Sequence, residues 1–345
     1  MDLQAELSEN QRKVDFDNFD MSIRELVSLV EEETLDIAPV YQRQFRWPEE
    51  HQSEFIESVF LGLPIPPIFA AANSNGTWDL IDGVQRLSTL IHFLGNQEQL
   101  SKISREEPLR LSKLTKLKGF NGKTFRDLPE AVKLKFKMGS LRIVTITDKS
   151  DMEVRFDLFE RLNKGGVILE PQEIRNCIFR GQFASWLAEL SEDANFRNVV
   201  RIPSKKANNG TPEEMVLRFF AFYHSYDKFN HYVIEFLNKF MEESTKSFKY
   251  RKNRRIFDRT FEELDRVYPE GIVRGRSSQT PVNLFEGIAV GAALALDERE
   301  YIDRNVAQDL LESSQLQKYS GAGSNTRKMV RQRIEYCYEA FRDES

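Results

Sequence analysis

The stretch Ile81-Asp82-Gly83-Val84-Gln85-Arg86-Leu87-Ser88-Thr89 decides how this chain folds. An apolar, β-prone run at 77–81 leads into it, and apolar residues at helical spacing follow it as far as Gly95. The stretch therefore lies where a strand gives way to a helix. A glycine there lets the backbone approach a ligand closely, and the first N–H groups of the helix have no partner within it. With the planar cation of Arg86, they predict an anion pocket. The alternative is an ordinary strand–turn–helix junction with Asp82 as the helix cap.

Two further blocks carry candidate ligand-binding residues. A turn cluster at 73–76 predicts that the strand at 77–81 pairs with residues 67–71 as a hairpin. Upstream, the block Tyr41-Gln42-Arg43-Gln44-Phe45-Arg46-Trp47 alternates aromatic with basic residues. Aromatic rings can stack on a base and arginines can reach a phosphate, which favours nucleotide binding. The alternative is that the aromatic residues anchor the core and the arginines form structural ion pairs.

A third block, Asn163-Lys164-Gly165-Gly166, ends a predicted helix at 151–162. Glycine tolerates the left-handed conformation that stops a helix, so a simple helix terminator explains the block. A ligand loop is the other interpretation, because Asn163 and Lys164 offer hydrogen-bond donors beside exposed backbone.

Periodicity divides the chain into three parts. Residues 1–20 are polar and acidic and are expected to form a flexible arm, whereas 21–180 mix short strands with helices and predict an α+β domain. From 181 to 345 the pattern is helical. It includes a run of small and apolar residues at 285–296 that predicts a tightly packed central helix.

Composition excludes several classes of protein. The chain has 345 residues and a net charge of −5, so it is not a globally basic nucleic-acid binder. Its two cysteines, Cys177 and Cys337, lie far apart, which excludes a disulfide framework and indicates a reduced, cytoplasmic protein. The four histidines form no local metal-ligand motif, and no segment has the pattern of a signal peptide or a membrane span. We therefore expect no membrane partner.

Basic residues cluster at three places in the C-terminal half. Such clusters usually are solvated faces, but if all three lay on one side they would form a surface for a DNA phosphate backbone. The members are Lys205, Lys206, Arg251, Lys252, Arg254, Arg255, Arg274 and Arg276.

Four blocks at 41–47, 63–68, 82–90 and 159–166 together resemble the N-terminal domain family of GmrSD-type modification-dependent restriction endonucleases. The resemblance implies a ParB/sulfiredoxin-like core with a small mixed sheet, followed by an all-α domain. It also implies a nucleotide-binding and hydrolysing module of bacterial defence against phage. In this family the nucleotide site is an Asp-Gly-Gln-Gln-Arg block, which here has Val84 at its third position. The residues that carry over are Asp82, Gly83, Gln85, Arg86, Tyr41, Gln42, Arg43, Asn163, Lys164 and Gly165.

The mechanistic hypothesis is phosphoryl transfer from a nucleoside triphosphate bound with magnesium. Arg43 and Arg86 would clamp phosphates, Gln85 would orient the attacking water, and Asp82 would hold magnesium or accept a proton. The predicted catalytic residues are Asp82, Gln85 and Arg86. The predicted nucleotide-binding residues are Tyr41, Gln42, Arg43, Trp47, Gly83, Thr89, Asn163, Lys164 and Gly165.

Two alternatives remain at this stage: a non-catalytic DNA-binding or sensor subunit that recruits a partner nuclease, and a magnesium-dependent DNA nickase. Many relatives continue into a histidine–metal nuclease domain, and the few histidines of this chain do not form that motif. Any cutting of DNA is therefore expected to come from a separate nuclease subunit.

Overall fold

The computed structural model describes residues 3–4, 15–37, 45, 47–73, 75–147, 152–163, 170–207, 209–275, 278–321 and 323–343. The chain divides into two compact units, Met1–Ile168 and Leu169–Ser345. In the described residues, the first unit combines a mixed five-stranded sheet with helices, and the second unit contains helices and turns without strands. The predicted α+β class is confirmed. No helix among these residues is both long enough and apolar enough to cross a bilayer.

The elements of the first unit alternate between strands and helices. The strands are β1 (Phe16–Ser22), β2 (Leu35–Asp36), β3 (Ile68–Ala72), β4 (Trp78–Asp82) and β5 (Ser140–Ile146). The helices are α1 (Ile23–Glu31), α2 (Glu49–Leu61), α3 (Val84–Leu94), α4 (Gln97–Lys102), α5 (Glu130–Lys137) and α6 (Met152–Asn163).

The second unit begins with α7 (Pro171–Ile178), so it starts before the sequence-based boundary at 180/181. Its other helices are α8 (Gln182–Ser191), α9 (Ala194–Val199), α10 (Thr211–Ser225), α11 (Val233–Lys246), α12 (Tyr250–Val267), α13 (Val282–Leu296), α14 (Arg304–Glu312), α15 (Ser314–Ser320) and α16 (Arg327–Arg342).

The sheet has the order β1-β5-β3-β4-β2. β3 and β4 form the predicted antiparallel hairpin, whereas β3 runs parallel to β5 and β4 runs parallel to β2. The register of the hairpin shifts at its end, because Phe69 faces Asp82 while Ala70 faces Leu80. Ile81 is therefore an extra residue in a β-bulge. Bulges of this kind redirect the side chains that follow them, here that of Asp82.

Strand β1 corrects the prediction of a flexible arm over residues 1–20. Residues 16–20 pair antiparallel with β5, and Arg142 of β5 binds Asp20 at 3.0 Å. β1 is an edge strand with exposed side chains on both faces, so its sequence lacks the alternation that predicts a strand. Phe19 stacks on Trp78 of β4 at 5.4 Å between ring centroids, although two strands separate them. A flat sheet would hold β1 and β4 about 14 Å apart, so this sheet is strongly curled.

The second unit is built around α13, as the small residues at 285–296 predict. A Cβ on Gly291 would lie 2.6 Å from the Cβ of Cys337, so α13 and α16 pack with their backbones close together. Glu286, fully buried on α13, forms ion pairs with Arg333, also fully buried, and with Arg218. Arg333 depends on this carboxylate because an unpaired charge in the interior is costly, whereas Arg218 also pairs with Glu214 at 2.8 Å.

We predict that Glu286→Gln lowers the free energy of unfolding by about 3–5 kcal/mol, because it leaves the fully buried guanidinium group of Arg333 without its counter-charge, whereas Arg218 keeps its ion pair with Glu214. Denaturant titration followed by circular dichroism measures the change. Glu335→Gln is the matched control, because Glu335 pairs with Arg331 on the exposed face of α16 and such pairs contribute about 0–1 kcal/mol. Equal losses in the two variants would contradict the prediction.

Candidate functional site

The predicted transition from strand to helix is confirmed at Asp82 and Gly83. β4 ends at Asp82, α3 begins at Val84, and Gly83 between them has φ of 107°. Gly83 occupies the N-cap position, and no side chain caps the helix. The alternative in which Asp82 caps α3 is therefore wrong. Glycine has no side chain that could accept hydrogen bonds from the first N–H groups of α3.

Instead of capping the helix, Asp82 binds Arg86. Nη2 of Arg86 donates to Oδ2 of Asp82 at 2.8 Å, with the arginine side chain 13% exposed and the aspartate side chain 36% exposed. Nε of Arg86 is buried and has no hydrogen-bond partner. An unsatisfied buried donor costs about 1–3 kcal/mol, so the guanidinium group is held in place with unused capacity to bind an acceptor.

Gly83 brings strand β3 close to this ion pair. A Cβ added at Gly83 would lie 3.0 Å from Cγ1 of Ile68 and 3.4 Å from Nη2 of Arg86. The positive φ and this lack of space both require glycine. Gly83 is therefore the residue that lets the strand end, the helix start and the guanidinium group meet.

We predict that Gly83→Ala lowers the free energy of unfolding by about 1–3 kcal/mol, because the new side chain meets Ile68 in a left-handed backbone conformation. Gly119→Ala is the control, since Gly119 has no positive φ and no atom within 4 Å of an added Cβ. Thermal melting of both variants measures the difference. A Gly83→Ala protein as stable as the control would contradict the argument.

Of the block at 41–47, the structure describes Phe45 and Trp47, and Trp47 lies next to this junction. The backbone N–H of Trp47 donates to Oε1 of Gln85 at 3.0 Å, and its carbonyl accepts from Nε2 of Gln52 at 2.8 Å. The indole ring is half-buried and packs edge-on against Phe55, with centroids 5.8 Å apart. Trp47 therefore anchors its segment to the core. Tyr41, Gln42 and Arg43 lie outside the described residues, so the clamp between Arg43 and Arg86 stays a prediction.

Gln85 and Thr89 have other partners than those predicted for them. The carboxamide oxygen of Gln85, which would orient a water, accepts the Trp47 N–H. Thr89 is fully buried, and its hydroxyl donates to the carbonyl of Gln85 at 2.7 Å. The prediction that Thr89 contacts a nucleotide is wrong, because position 89 faces the core on the second turn of α3.

His92, further along α3, connects two segments that sequence analysis left apart. Its Nδ1 lies 2.7 Å from Oε1 of Gln52, and its Nε2 lies 3.0 Å from the carbonyl of Glu107. Burial lowers the pKa of the His92 imidazole below its ordinary value. The ring of Phe45 packs edge-on against His92 at 6.0 Å. This histidine therefore has a structural role in holding the 45–47 segment.

Arg105 is a cation near the site that the sequence did not single out. Its guanidinium lies over the ring of Phe45, 5.0 Å from the centroid, and its Nε is buried without a hydrogen-bond partner. Within the described chain it forms no ion pair. In the sequence, Arg105 is followed by Glu106 and Glu107, which suggests a local ion pair. The absence of an ion pair at Arg105 can therefore be seen only in the described structure.

The third block follows the helix α6, which ends at Asn163. α6 contacts β4, the strand that ends at Asp82, and its Phe159 is buried. The helix end therefore belongs to the same unit as the junction. The side chain of Asn163 and residues Lys164 and Gly165 lie outside the described part of the chain.

Among the described residues, the predicted basic side chains of the second unit are not equally available to a ligand. Arg254 forms ion pairs with Glu189 and Asp258, both at 2.7 Å. Arg274 donates to the carbonyl of Leu311 at 2.8 Å, so its guanidinium serves the packing of the unit. Expected nucleic-acid contacts by Arg274 are therefore not supported.

Four other members of that group, Lys206, Arg251, Lys252 and Arg255, are exposed. The last three stand in the first two turns of α12, whereas Arg274 follows the end of this helix. Arg276 and the side chain of Lys205 lie outside the described residues.

The described residues contain no group of three or more histidine, cysteine, aspartate or glutamate side chains placed to hold a metal ion. Cys177 and Cys337 are both buried, and neither forms a disulfide in the described part of the chain. Any metal at the junction would therefore depend on Asp82 together with oxygen atoms of a ligand.

Comparison with known proteins finds a family match for the first part of the chain. Residues 23–180 match the model of the family described as GmrSD restriction endonuclease, N-terminal domain. No curated protein and no solved structure matches the chain. The matched segment contains the whole junction between β4 and α3.

Proposed function

Residues 23–180 belong to the GmrSD restriction endonuclease N-terminal domain family, and from that membership we propose a nucleotide-binding and nucleoside-triphosphate-hydrolysing function for this domain. The family makes the chain a component of a restriction-type defence system. The observation that carries the proposal is the guanidinium of Arg86, which Asp82 fixes beside Gly83 with donors unused.

Phosphate groups fit the chemistry of this junction. The bare backbone at Gly83 and the uncapped N–H groups of α3 offer donors beside the positive end of the helix. Arg86 adds N–H groups in a planar fork that matches phosphate oxygens. Because Asp82 holds the guanidinium before a ligand arrives, little reorganisation is needed to bind the charge of a phosphate.

Asp82 is the carboxylate that fits a magnesium ion carried by the nucleotide. One of its oxygens accepts from Arg86, and the other accepts no hydrogen bond within the described residues. Magnesium is commonly held by one or two carboxylates together with substrate phosphates. The ion would supply further neutralisation of phosphate charge. Asp82 is also placed to accept a proton from an attacking water.

Two residues near the junction extend the site. Gln85 acts as a positioning residue, because its bond to Trp47 holds the 45–47 segment against α3. Arg105 adds a second cation without an acidic partner, in contact with Phe45 of that same segment. We assign it to binding of the nucleotide phosphates. Tyr41, Gln42 and Arg43 stay in the proposed site by their family match, as do Asn163, Lys164 and Gly165.

The finer description of the fold belongs to the same proposal. The curled, mixed five-stranded sheet with its site at the end of a central strand supports a ParB/sulfiredoxin-like core. We place the nucleotide-binding domain at 21–180, extended at its start by β1, and the helical domain at 181–345. A separate nuclease subunit is the proposed partner.

We predict that Arg86→Ala weakens nucleotide binding by about 30- to 150-fold, which corresponds to about 2–3 kcal/mol for lost charge-assisted hydrogen bonds. Titration of the full chain with fluorescent ATP, GTP, CTP and UTP analogues and magnesium measures affinity, and phosphate release measures turnover. Arg142→Ala is the matched control, because it also removes an arginine paired with an aspartate in the first unit.

Asp82→Asn separates the role of Asp82 in holding Arg86 from its role in catalysis, because the amide oxygen of asparagine can still accept from Arg86. If Asp82 holds magnesium or accepts a proton, this variant keeps nucleotide binding and loses phosphate release. Unchanged affinity in a folded Arg86→Ala protein would overturn the proposal. Affinity for DNA without any phosphate release would favour the sensor function, and nicking of plasmid by the pure chain would favour the nickase.

Arg105→Ala is predicted to weaken nucleotide binding by about 10-fold or more, since one charge-assisted hydrogen bond contributes about 1.5–3 kcal/mol. The same titration measures the change. Arg126→Ala, at an exposed position of the same unit, removes the same charge and should leave affinity unchanged. Equal affinities of the two variants would restrict the site to the junction itself.

A further inference from the structure

The start of α12 carries a row of positive charges without acidic partners. Residues 246–255 contain six lysines and arginines and no aspartate or glutamate. Two of the six are neutralised, since Lys246 pairs with Glu242 and Arg254 pairs with Glu189 and Asp258. The remaining four are exposed and form no ion pair within the described chain. These four, Lys249, Arg251, Lys252 and Arg255, are called the α12 basic row.

The position of the α12 basic row is unfavourable for the isolated protein. The first turn of α12 contains no acidic residue, and no side chain caps the helix at Lys249. Cations at the positive end of a helix, three and four residues apart, repel both the helix dipole and one another. This repulsion opposes folding, and a bound polyanion would offset it. The whole chain has a net charge of −5, so this local excess of positive charge is opposite in sign to the net charge of the protein.

The α12 basic row has a defined geometry. At 3.6 residues per turn, its four side chains cover an arc of about 160° and a rise of about 9 Å. Arg254 and its partner Asp258 stand outside that arc. The helix start is fixed by Asn253, whose Nδ2 donates to the carbonyl of Lys249 at 3.1 Å and whose Oδ1 lies 2.6 Å from Nε2 of His224. The charges are therefore presented on one face of an anchored helix.

We propose that the α12 basic row binds the phosphate backbone of duplex DNA without reading base sequence. Duplex DNA carries about one charge per 1.7 Å of its axis, a density that the four cations can meet together. The row offers point charges and guanidinium groups without a described pocket, so it contacts backbone and not bases. A restriction system acts on DNA, which makes this polyanion the matching partner. Binding here does not depend on the nucleotide function proposed for Arg86.

The test compares the full chain with a variant in which Lys249, Arg251, Lys252 and Arg255 are all replaced by Gln. Fluorescence anisotropy with a labelled 20-base-pair duplex measures affinity across potassium chloride concentrations. Four neutralised phosphates predict a slope of log K against log salt near −3.6, or about a 150-fold loss of affinity between 50 and 200 mM. The variant is expected to lose at least about 30-fold in affinity at 50 mM and most of that slope.

The matched control removes four exposed cations scattered over the same unit, by replacing Lys228, Lys239, Arg304 and Lys318 with Gln. It has the same net charge as the test variant and should bind DNA like the parent chain. An equal loss in both variants, or no DNA binding by the parent chain, would overturn the proposal. Tighter binding of single-stranded DNA or of duplex RNA would overturn the duplex DNA assignment. The test variant is expected to bind nucleotides with the affinity of the parent chain. The DNA result can therefore be judged independently of the nucleotide function proposed for Arg86.

Discussion

The ion pair between Asp82 and Arg86 is the interaction around which the first unit builds its site. It connects the last residue of β4 with the first turn of α3, and it requires Gly83 between them in a left-handed conformation. The bulge at Ile81 turns Asp82 toward the helix. With Asp82 36% exposed, such a pair contributes about 0–1 kcal/mol to stability after solvent screening. Its main effect is therefore orientation, because it fixes a guanidinium group whose other donors stay unused.

Helix α3 extends this constraint to a distant segment of the chain. Gln85 near its start binds the backbone of Trp47, and His92 near its end contacts Gln52, which binds the same tryptophan. These hydrogen bonds are partly or fully buried, where unpaired polar groups are costly. Phe45 and Trp47 are therefore held at a fixed position relative to α3. This arrangement gives a physical reason why blocks forty residues apart can serve one site.

Local patterns in the sequence were sufficient for the junction and the hairpin, because glycine, turn residues and apolar periodicity act over a few positions. The same patterns missed β1, which is an edge strand whose order comes from pairing with β5. They also assigned Thr89 to a ligand, since a motif match does not show which side of a helix faces the core. Arg105 lies over the ring of Phe45, which is sixty residues away in the sequence. A contact between residues so far apart cannot be predicted from a local sequence pattern.

Burial and pairing, more than the count of arginines, decide which cations of this protein are available to an anion. Arg333 is fully buried and requires Glu286, so its charge is used in folding. Arg86 also has a buried Nε without a partner among the described residues, and what marks it as a ligand site is its position beside Gly83 at the start of α3. The cations of the α12 basic row are exposed, so water solvates them without an acidic partner. What distinguishes them is their position at a helix start, where positive charge is disfavoured. Three environments thus give basic side chains three different roles. The sequence alone shows only that the residues are basic and does not distinguish these roles.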